Sequence, residues 1–476
     1  MKIYISLIIL IQFLLTGCLP SYTPLNSKKE IPNTFAGDTS KQSIGTISIK
    51  EFFKDEELKK LIDTALVYNP DLNSIIQKIT IARANYSMAK WSLLPSLNTK
   101  ISAGVDKYAD YTMNGVGNFD TNLSPNLSPD QKIPTPVPDY FLGLSSNWEI
   151  DIWGKLRNLK KAAYKRYLAT DKARQLFTSI LVSSIAEKYY TLTVLDKELE
   201  IIQKNIMLQQ KAVETVQVLK EGGKANELAV DQMNAQLLNT QSLKIEIEQK
   251  IIETENELNF LLGRFPQKIK RGNSLEKQFS PEIISTGIPA NMLLRRPDIQ
   301  ESELVLKASL NEVKAARAAF LPALNISAYG GYNSFNSSLL FNSPSSLAYG
   351  LLAGITGPIF NRNSIRSNYK SSVAQNKDAY FQYQKNILKA VEEVSSKLKR
   401  IENYNSISNI KNEEVKMLYQ AVNASNDLFL AGYASYLEVI ITQKNVLEAE
   451  IGLINAQKVQ LISTIELYRA LGGGWE

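Results

Sequence analysis

Histidine is absent from the sequence, and the 476 residues include only one cysteine. Without histidine the chain lacks the commonest metal ligand and the side chain that ordinarily titrates near neutral pH. Catalytic sites that pair serine or cysteine with histidine are therefore excluded, as are zinc sites of the HExxH type. A single cysteine can form neither an intrachain disulfide nor a CxxC site. We expect a protein that is not an enzyme and that holds no metal or cofactor, apart from a lipid on its cysteine.

Proline is missing from two long stretches of the chain. There are 17 prolines, but none falls within residues 139–265 or 359–476. Because an interior proline costs a helix about 3 kcal/mol, these stretches permit long helices. The segments 155–221 and 363–430 carry apolar residues at three- and four-residue spacing, which is the heptad pattern of a coiled coil. As helices, each would be about 100 Å long.

Glycine follows both of these segments. Gly222 and Gly223 follow the first, and Gly432 follows the second. Glycine readily adopts the left-handed backbone of a tight reversal, so each long helix is predicted to lead into a returning helix, over 226–262 and 435–470.

The net charge is +7, yet lysine and arginine are interleaved with nearly as many acidic residues. A nucleic-acid-binding protein would instead carry clustered basic residues with interleaved aromatic residues. The charges therefore indicate solvated helix faces, and no nucleic-acid partner is expected.

The amino terminus carries a short apolar run, Ile3–Leu15. A membrane-spanning helix needs about 20 apolar residues, so this shorter run predicts a secretory signal. The tetrapeptide Leu15–Cys18 resembles the bacterial lipobox, in which cleavage exposes a cysteine that is then acylated. We predict a signal peptide over residues 1–17, lipid attachment at Cys18 and a lipidated extension over 18–53. The residue after the cysteine is leucine and not aspartate, which by resemblance to lipoprotein sorting signals favours the outer membrane.

Short motifs recur in the chain at one fixed spacing. The pairs, each 227 residues apart, are Asn69–Leu72 with Arg296–Ile299 and Leu94–Asn98 with Leu321–Asn325. Two anchors at the same offset indicate an internal repeat. The chain is therefore predicted to contain a first structural repeat over 54–280 and a second over 281–476.

Each long helix is preceded by segments in which every second residue is apolar. Apolar residues alternate with small or polar ones within 96–150, on either side of a long polar loop at 108–139, and again within 323–358. Such alternation is typical of membrane-barrel strands, although a soluble sheet with one wet face has the same pattern. Each segment is predicted to form a β-hairpin. Four strands cannot close a barrel, which needs about eight, so we expect the chain to oligomerise.

Four motifs share one family resemblance. They are Leu294–Ile299, Ala316–Leu324, Asp151–Lys155 and Ala470–Trp475. Together they resemble the signature of TolC-like outer-membrane efflux factors, in the lipoprotein (NodT and OprM) branch. The resemblance implies an α+β membrane protein that forms a homotrimer, with four strands per protomer in a twelve-stranded β-barrel, a long α-helical coiled-coil barrel and a mixed equatorial belt. It also implies two partners, a periplasmic adaptor (membrane fusion) protein and an inner-membrane pump of the resistance-nodulation-division (RND) type.

The resemblance assigns functional residues to the two helix reversals. They look like tips that dock the adaptor through Gly222, Gly223, Ala225, Leu228, Gly432, Tyr433, Ser435 and Leu437. Grooves beside such tips would receive amphipathic helices. Glu438 stands where three carboxylates would form a gate at the closed periplasmic aperture. Relatives often carry aspartate where this chain has Ala229, so the sequence leaves the opening mechanism undetermined.

Five further residues have structural roles in this interpretation. Arg296, Pro297 and Asp298 form a motif that opens a helix, and packing is favoured over ligand binding for Arg296. Pro95 and Pro322 are expected to end helices where the chain turns into the predicted strands.

The function predicted from the sequence is passive export of drugs or other small toxic compounds across the periplasm and outer membrane. Efflux of heavy-metal cations by the same architecture is the alternative, although the seven methionines are scattered and not clustered as a soft-metal path would favour. A structural lipoprotein that spans the periplasm is a further alternative, and it would lack barrel strands.

Overall fold

The computed structural model describes residues 20–25, 43–272, 287, 289–357 and 362–476. The predicted signal peptide and Cys18 lie outside the described residues. The chain divides into a first compact unit (Met1–Leu25, Ile81–Tyr167 and Val305–Tyr380) and a second (Asn26–Thr80, Leu168–Leu304 and Phe381–Glu476). Each unit takes segments from both predicted repeats, so the repeats describe the order of the chain and not its compact units.

The described residues contain ten α-helices. Those of the first half are α1 (Ile49–Phe52), α2 (Glu56–Tyr68), α3 (Pro70–Trp91), α4 (Met113–Asn122), α5 (Lys155–Glu221) and α6 (Glu227–Leu261). Those of the second half are α7 (Pro289–Arg295), α8 (Pro297–Ala318), α9 (Arg362–Leu430) and α10 (Tyr436–Ala470). Within the described residues, no helix combines the length and the hydropathy that a membrane crossing requires.

The long helices predicted from the proline-free stretches are confirmed. Helix α5 has 67 residues and α9 has 69, and each leads into a helix of 35 residues. Many of the heptad positions of α5 and α9 are buried, among them Leu192, Leu195, Ile202, Val394, Leu398 and Ile401. Helices of this kind owe most of their stability to the packing of these apolar positions against neighbouring helices.

The strands β1 (Ser96–Asp106), β2 (Val137–Ile150), β3 (Ala323–Ser334) and β4 (Leu347–Thr356) form one antiparallel sheet in the order β1-β2-β3-β4. Strands β1 and β2 pair as a hairpin, as do β3 and β4, in agreement with the sequence alternation. The register aligns Ile101, Leu142, Tyr332 and Leu347 across the four strands. Residues directly opposite one another share a face. One face is therefore predominantly apolar across the whole sheet, and the other is mostly polar or glycine.

The connection between β1 and β2, which the sequence predicted as a long polar loop, contains α4. The hydroxyl of Thr112 caps this helix by accepting a hydrogen bond from the amide of Gly115 at 3.2 Å. Gly115 and Gly117 lie inside the helix, where glycine is unfavourable by about 1 kcal/mol relative to alanine. Intrinsic propensity therefore gave no signal for a helix in this segment.

Prolines stand at the starts of several elements. The first residue of α3, α7 and α8 is proline, at a position where its missing N–H breaks no helical hydrogen bond. Pro95 and Pro322 immediately precede β1 and β3, and the preceding helices α3 and α8 end four residues earlier. Trp91 and Ala318 are the residues whose carbonyls a helical N–H at positions 95 and 322 would bond, and proline has no such N–H. The expectation that these prolines end the helices stays a prediction.

The core of the second unit is rich in aromatic residues. Tyr189, Tyr190 and Tyr468 are at most 2% exposed, and Phe53 lies in the same cluster as the first two. The ring of Phe52 stacks on that of Tyr468 with 3.9 Å between their centroids. Helix α1, near the start of the described chain, is therefore packed against the end of α10.

The segment that follows α10 is built into the same unit. The hydroxyl of Ser179 donates to the carbonyl of Gly473 at 2.5 Å, and the indole of Trp475 donates to the carbonyl of Gly472 at 2.7 Å. A Cβ at position 473 would lie 2.3 Å from the ring of Tyr468. Only glycine fits this close approach without displacing the ring.

The first unit has a smaller helical core beside its sheet. Val313 and Ala316 of α8 pack against Tyr369 of α9, and all three are buried. Arg166 forms a two-pronged ion pair with Glu312, with both distances at 2.9 Å. This pair holds α5 to α8 within the unit.

Candidate functional site

Two tight turns connect the long helices to the returning helices. The first turn (residues 222–226) joins α5 to α6, and the second turn (residues 431–435) joins α9 to α10. The amide of Lys224 donates to the carbonyl of Leu219 at 2.8 Å, and that of Tyr433 donates to Leu428 at 2.8 Å. Both are hydrogen bonds of a glycine-terminated helix. The two sequence-predicted tips therefore have the same backbone geometry.

One glycine in each turn adopts a left-handed backbone. Gly223 has a φ of +69° and Gly432 a φ of +81°. A Cβ at either position would meet nothing within 4 Å, so the requirement for glycine is conformational and not steric. Most other residues would pay about 1–2 kcal/mol to adopt this backbone.

Side-chain caps start the returning helices. The side chain of Asn226 accepts from the amide of Ala229 at 3.0 Å. At the second turn, Ser435 and Glu438 form a capping box in which the amide of Ser435 donates to Glu438 at 2.9 Å. The hydrogen bonds from Ser435 hold the pKa of the exposed Glu438 carboxyl below its ordinary value. Glu438 thus caps α10 in this structure, and its role as a gate stays a prediction.

An apolar cluster brings the two turns together within the second unit. It contains Val216 of α5, Val230 and Met233 of α6 and Val439 of α10, each at most 6% exposed. Ala229 is fully buried in the same cluster. An aspartate at this position would place a carboxylate among apolar side chains, which is unfavourable unless the charge is paired. Alanine therefore fits the packing that the structure has here.

Apolar side chains are also exposed around the turns. Leu228 is 55% exposed, Leu430 67%, Tyr433 85% and Leu437 50%. We call these four residues the apolar rim. Exposed apolar groups that are clustered, and not scattered singly, mark interaction sites.

A groove with a volume of about 370 Å³ lies beside the turns, between α5 and α9. Apolar residues that line it include Leu208, Val216, Met233, Phe429, Leu430 and Val439. The ammonium of Lys204 lies 5.6 Å from the ring centre of Tyr419, whose hydroxyl donates to Glu450 at 2.5 Å. Burial, together with the bond to Glu450, raises the pKa of Tyr419 to about 12. The sequence predicted grooves beside the tips, but it did not predict the residues that line this groove, because they come from four separate helices.

Arg296, for which the sequence favours a structural role, is bonded to three parts of the second unit. It is 6% exposed, and its guanidinium donates to both oxygens of Asp298, at 3.1 and 2.8 Å. It also donates to Glu393 at 2.9 Å and to the carbonyl of Ala470 at 2.8 Å. These bonds hold the start of α8, next to Pro297, against α9 and the end of α10.

A network of charges continues from Arg296 into the second unit. Glu393 also accepts from Arg469 at 2.6 Å, and Lys397 pairs with Glu466. Nearby on α5, Glu187 accepts a hydrogen bond from Ser183 at 2.9 Å. Burial raises the pKa of the Glu187 carboxyl above its ordinary value, despite the opposing effects of Ser183, Arg469 and Lys397.

The apolar face of the sheet, in the first unit, is exposed. Ile101 is 75% exposed, Tyr349 81%, Leu351 78% and Ile355 73%. Alternating strands with such a face are typical of a barrel wall that contacts lipid. The sheet, the long helices and the paired turns have the arrangement that the sequence predicted for an outer-membrane channel.

Comparison with known proteins identifies the family. The chain is similar in fold to the crystal structure of CusC, with a TM-score of 0.81 and 25% sequence identity over 95% of this chain and 99% of that one. Residues 61–264 and 288–473 match the outer membrane efflux protein family. The chain belongs to this family.

Two relatives extend the comparison along nearly the whole sequence. The chain is 29% identical to the solvent efflux pump outer membrane protein SrpC of Pseudomonas putida, over 97% of this chain and 96% of that protein. It is 27% identical to the cation efflux system protein CusC of Escherichia coli O6:H1, over 90% of this chain and 88% of that protein. The predicted family, α+β membrane fold, outer-membrane location and efflux function are confirmed.

Proposed function

We propose that three copies of this chain form a passive duct through which small toxic organic compounds leave the cell. The observation that carries the proposal is the four-stranded sheet, which has an exposed apolar face and two edge strands, β1 and β4, each paired on one side only. Unpaired sheet edges do not persist in lipid, so β1 of one copy would pair with β4 of the next. Three such sheets would supply twelve strands, which is enough to close a barrel.

Exposed heptad stripes on the helices support assembly in the same way. On α6, Leu238, Ile245 and Ile252 recur every seven residues and are 64%, 66% and 53% exposed. On α9, Ile410 and Met417 have the same spacing and are each 68% exposed. Apolar positions repeated at this spacing are ordinarily covered by another helix. In the proposed trimer these stripes are covered by neighbouring copies and form part of the helical barrel.

The apolar rim and the groove beside the turns are the proposed docking site for a periplasmic adaptor. An amphipathic helix of the adaptor would place its apolar face in the groove between α5 and α9.

Three further parts complete the proposed system. An inner-membrane RND-type pump would supply the energy, and the lipid on Cys18 would anchor the chain. Glu438 would add three carboxylates at the periplasmic end of the duct.

The substrates are proposed to be organic compounds, with metal cations as the second candidate. One relative is named for solvent efflux and the other for cation efflux, so each proposal has a precedent in the family. The sequence has no histidine and its seven methionines are scattered, which disfavours a dedicated path for soft metals.

The substrate proposal is tested by deleting the gene and restoring it from a plasmid. Both strains are challenged in parallel with bile salts, toluene, antibiotics and salts of copper, silver, cobalt and zinc. The plasmid is expected to restore growth on the organic compounds. If only the metal salts discriminate between the strains, metal efflux replaces this proposal.

The assembly proposal is tested with a matched pair of variants on α6. Leu238→Lys places a charge on the exposed stripe, whereas Asn239→Lys places the same charge on the neighbouring exposed position. The purified proteins are compared by mass photometry in detergent. Trimers are expected for Asn239→Lys and a loss of trimers for Leu238→Lys. Equal trimer fractions would refute the role given to this stripe.

A further inference from the structure

Glycine is concentrated on the polar face of the sheet. The strand register places five glycines on that face, namely Gly104, Gly143, Gly331, Gly350 and Gly354. On the apolar face the strands carry only Gly330. Glycine weakens a strand, and in strands it often marks a place where another group approaches the backbone closely. The concentration of glycine on one face therefore requires an explanation.

Two aromatic rings occupy the space that the glycines leave. They lie beside two of the five glycines: a Cβ at position 350 would lie 2.5 Å from Cε1 of Tyr329, and a Cβ at position 143 would lie 2.9 Å from Cζ of Phe141 and 2.5 Å from the carbonyl oxygen of Gly330. The two rings meet edge to face with 6.1 Å between their centroids. Phe141 is only 8% exposed although it lies on the polar face. The glycines therefore allow the rings to lie down against the sheet.

The side chain of Lys100 lies over one of these two rings. The ammonium of Lys100 on β1 lies 5.3 Å from the ring centre of Phe141, and it forms no ion pair within the described part of the chain. The three side chains line a hollow of about 360 Å³. Asp139 is the one carboxylate lining this hollow, and it already accepts a hydrogen bond from Asn333 at 2.7 Å. The hollow therefore combines an aromatic surface with one cation that forms no ion pair and one carboxylate that is already hydrogen-bonded.

We propose that Lys100, Phe141 and Tyr329 form a weak binding site for small aromatic anions. The inference rests on the proposed function, in which the polar face of the sheet lines the lumen. The ammonium would attract the carboxylate or sulfonate of the ligand, and the rings would contact its aromatic part. Tyr329 is 50% exposed, and its hydroxyl offers a second hydrogen-bond donor to the ligand. A duct can hold such a site if binding is weak enough for the solute to leave.

Benzoate binding to the purified full-length protein in detergent tests the site, with saturation-transfer NMR as the measurement. Acetate has the charge without the ring, and benzylammonium has the ring with the opposite charge. Benzoate is expected to bind at least fivefold more tightly than either, and its affinity is expected to fall as salt is added. Lys100→Gln and Phe141→Leu should each weaken benzoate binding at least fivefold. The matched control Lys107→Gln, which removes the exposed lysine just beyond the end of β1, should leave the affinity unchanged.

Benzoate binding that is equal in the wild type and in Lys100→Gln would overturn the proposal, as would equal binding of acetate or benzylammonium. Lys100→Arg keeps the charge and is expected to retain binding, so a loss of binding in that variant also counts against the site if its trimer is intact. Conductance of the wild type in planar bilayers is measured separately. If the protein binds benzoate through Lys100 but does not conduct, the proposed duct is refuted and the proposed site is not. A conducting protein that binds benzoate independently of Lys100 would refute the site alone.

Discussion

The phenol of Tyr189 donates a hydrogen bond of 2.7 Å to Oδ2 of Asp55, a residue 134 positions earlier in the chain. The other oxygen of Asp55 caps α2 by accepting from the amides of Glu57 at 2.8 Å and Leu58 at 3.2 Å. The phenol oxygen also accepts from the amide of Gly272 at 2.7 Å. Burial raises the pKa of Tyr189, so it remains a protonated donor at every physiological pH. One hydroxyl thus joins three segments of the second unit.

Tyr189→Phe is expected to lower the stability of the second unit. The substitution leaves the half-buried amide of Gly272 and an oxygen of the buried Asp55 without this partner, at a cost of about 1–3 kcal/mol. The Tm of the purified protein in detergent is the measurement. Tyr433→Phe removes a hydroxyl from a residue that is 85% exposed, and it serves as the control that should not change the Tm. Equal Tm values for all three proteins would contradict the prediction.

Arg296→Lys is expected to be strongly destabilising, although it keeps the charge. A lysine cannot reproduce the planar fork that reaches Asp298, Glu393 and the carbonyl of Ala470 at once. Disrupting a buried ion pair commonly costs about 3–5 kcal/mol. Arg295→Lys, at the neighbouring and more exposed arginine, should lower the Tm much less. If the two variants unfold at the same temperature, Arg296 does not have the structural role given to it here.

Glu187→Gln is expected to raise the stability at neutral pH. Because the folded-state pKa of Glu187 lies above its ordinary value of 4.5, the folded protein binds this proton more tightly than the unfolded chain. Stability is therefore lost as the pH rises from that ordinary value through the raised pKa. Glutamine keeps the bond from Ser183 and carries no charge. The Tm of the variant should exceed that of the wild type at pH 7.5, and the two should converge at pH 4.

The control for this effect is Glu214→Gln, at an exposed position of the same helix. It should follow the wild-type pH profile throughout. A Glu187→Gln variant whose Tm differs from the wild type by the same amount at both pH values would show that the charge of Glu187 is not the cause.

Gly432→Trp is expected to abolish resistance while leaving the trimer assembled. The position has open space around it, so the indole meets no steric obstacle, at a backbone cost of about 1–2 kcal/mol, and projects from the second turn into the proposed docking surface. Gly432→Asn is the matched control, because asparagine tolerates the left-handed backbone with a small side chain. Resistance is measured by growth inhibition, and assembly by mass photometry. Normal resistance with Gly432→Trp would mean that the adaptor docks elsewhere.

The sequence predicted features whose cause is local. Long helices follow from missing prolines and heptads, the turns from Gly223 and Gly432, and the strands from alternation. The features that the sequence did not predict join residues that are far apart in the chain: the lining of the groove, the bond between Tyr189 and Asp55, and the partners Glu393 and Ala470 of Arg296. No periodicity encodes which distant residues meet. The proposed site of Lys100, Phe141 and Tyr329 depends on the register between β1, β2 and β3, which could not be predicted from the sequence.

The stacking of Phe52 on Tyr468 has a consequence for the order in which the protein is made. The two rings are 416 residues apart, and Ser179 bonds to Gly473 in the same unit. The second unit therefore cannot close its core until the residues near position 470 have been synthesised and delivered. Until then α1 and much of α5 expose apolar surface, which invites aggregation. We expect the growing chain to depend on a holding chaperone for nearly all of its synthesis and export.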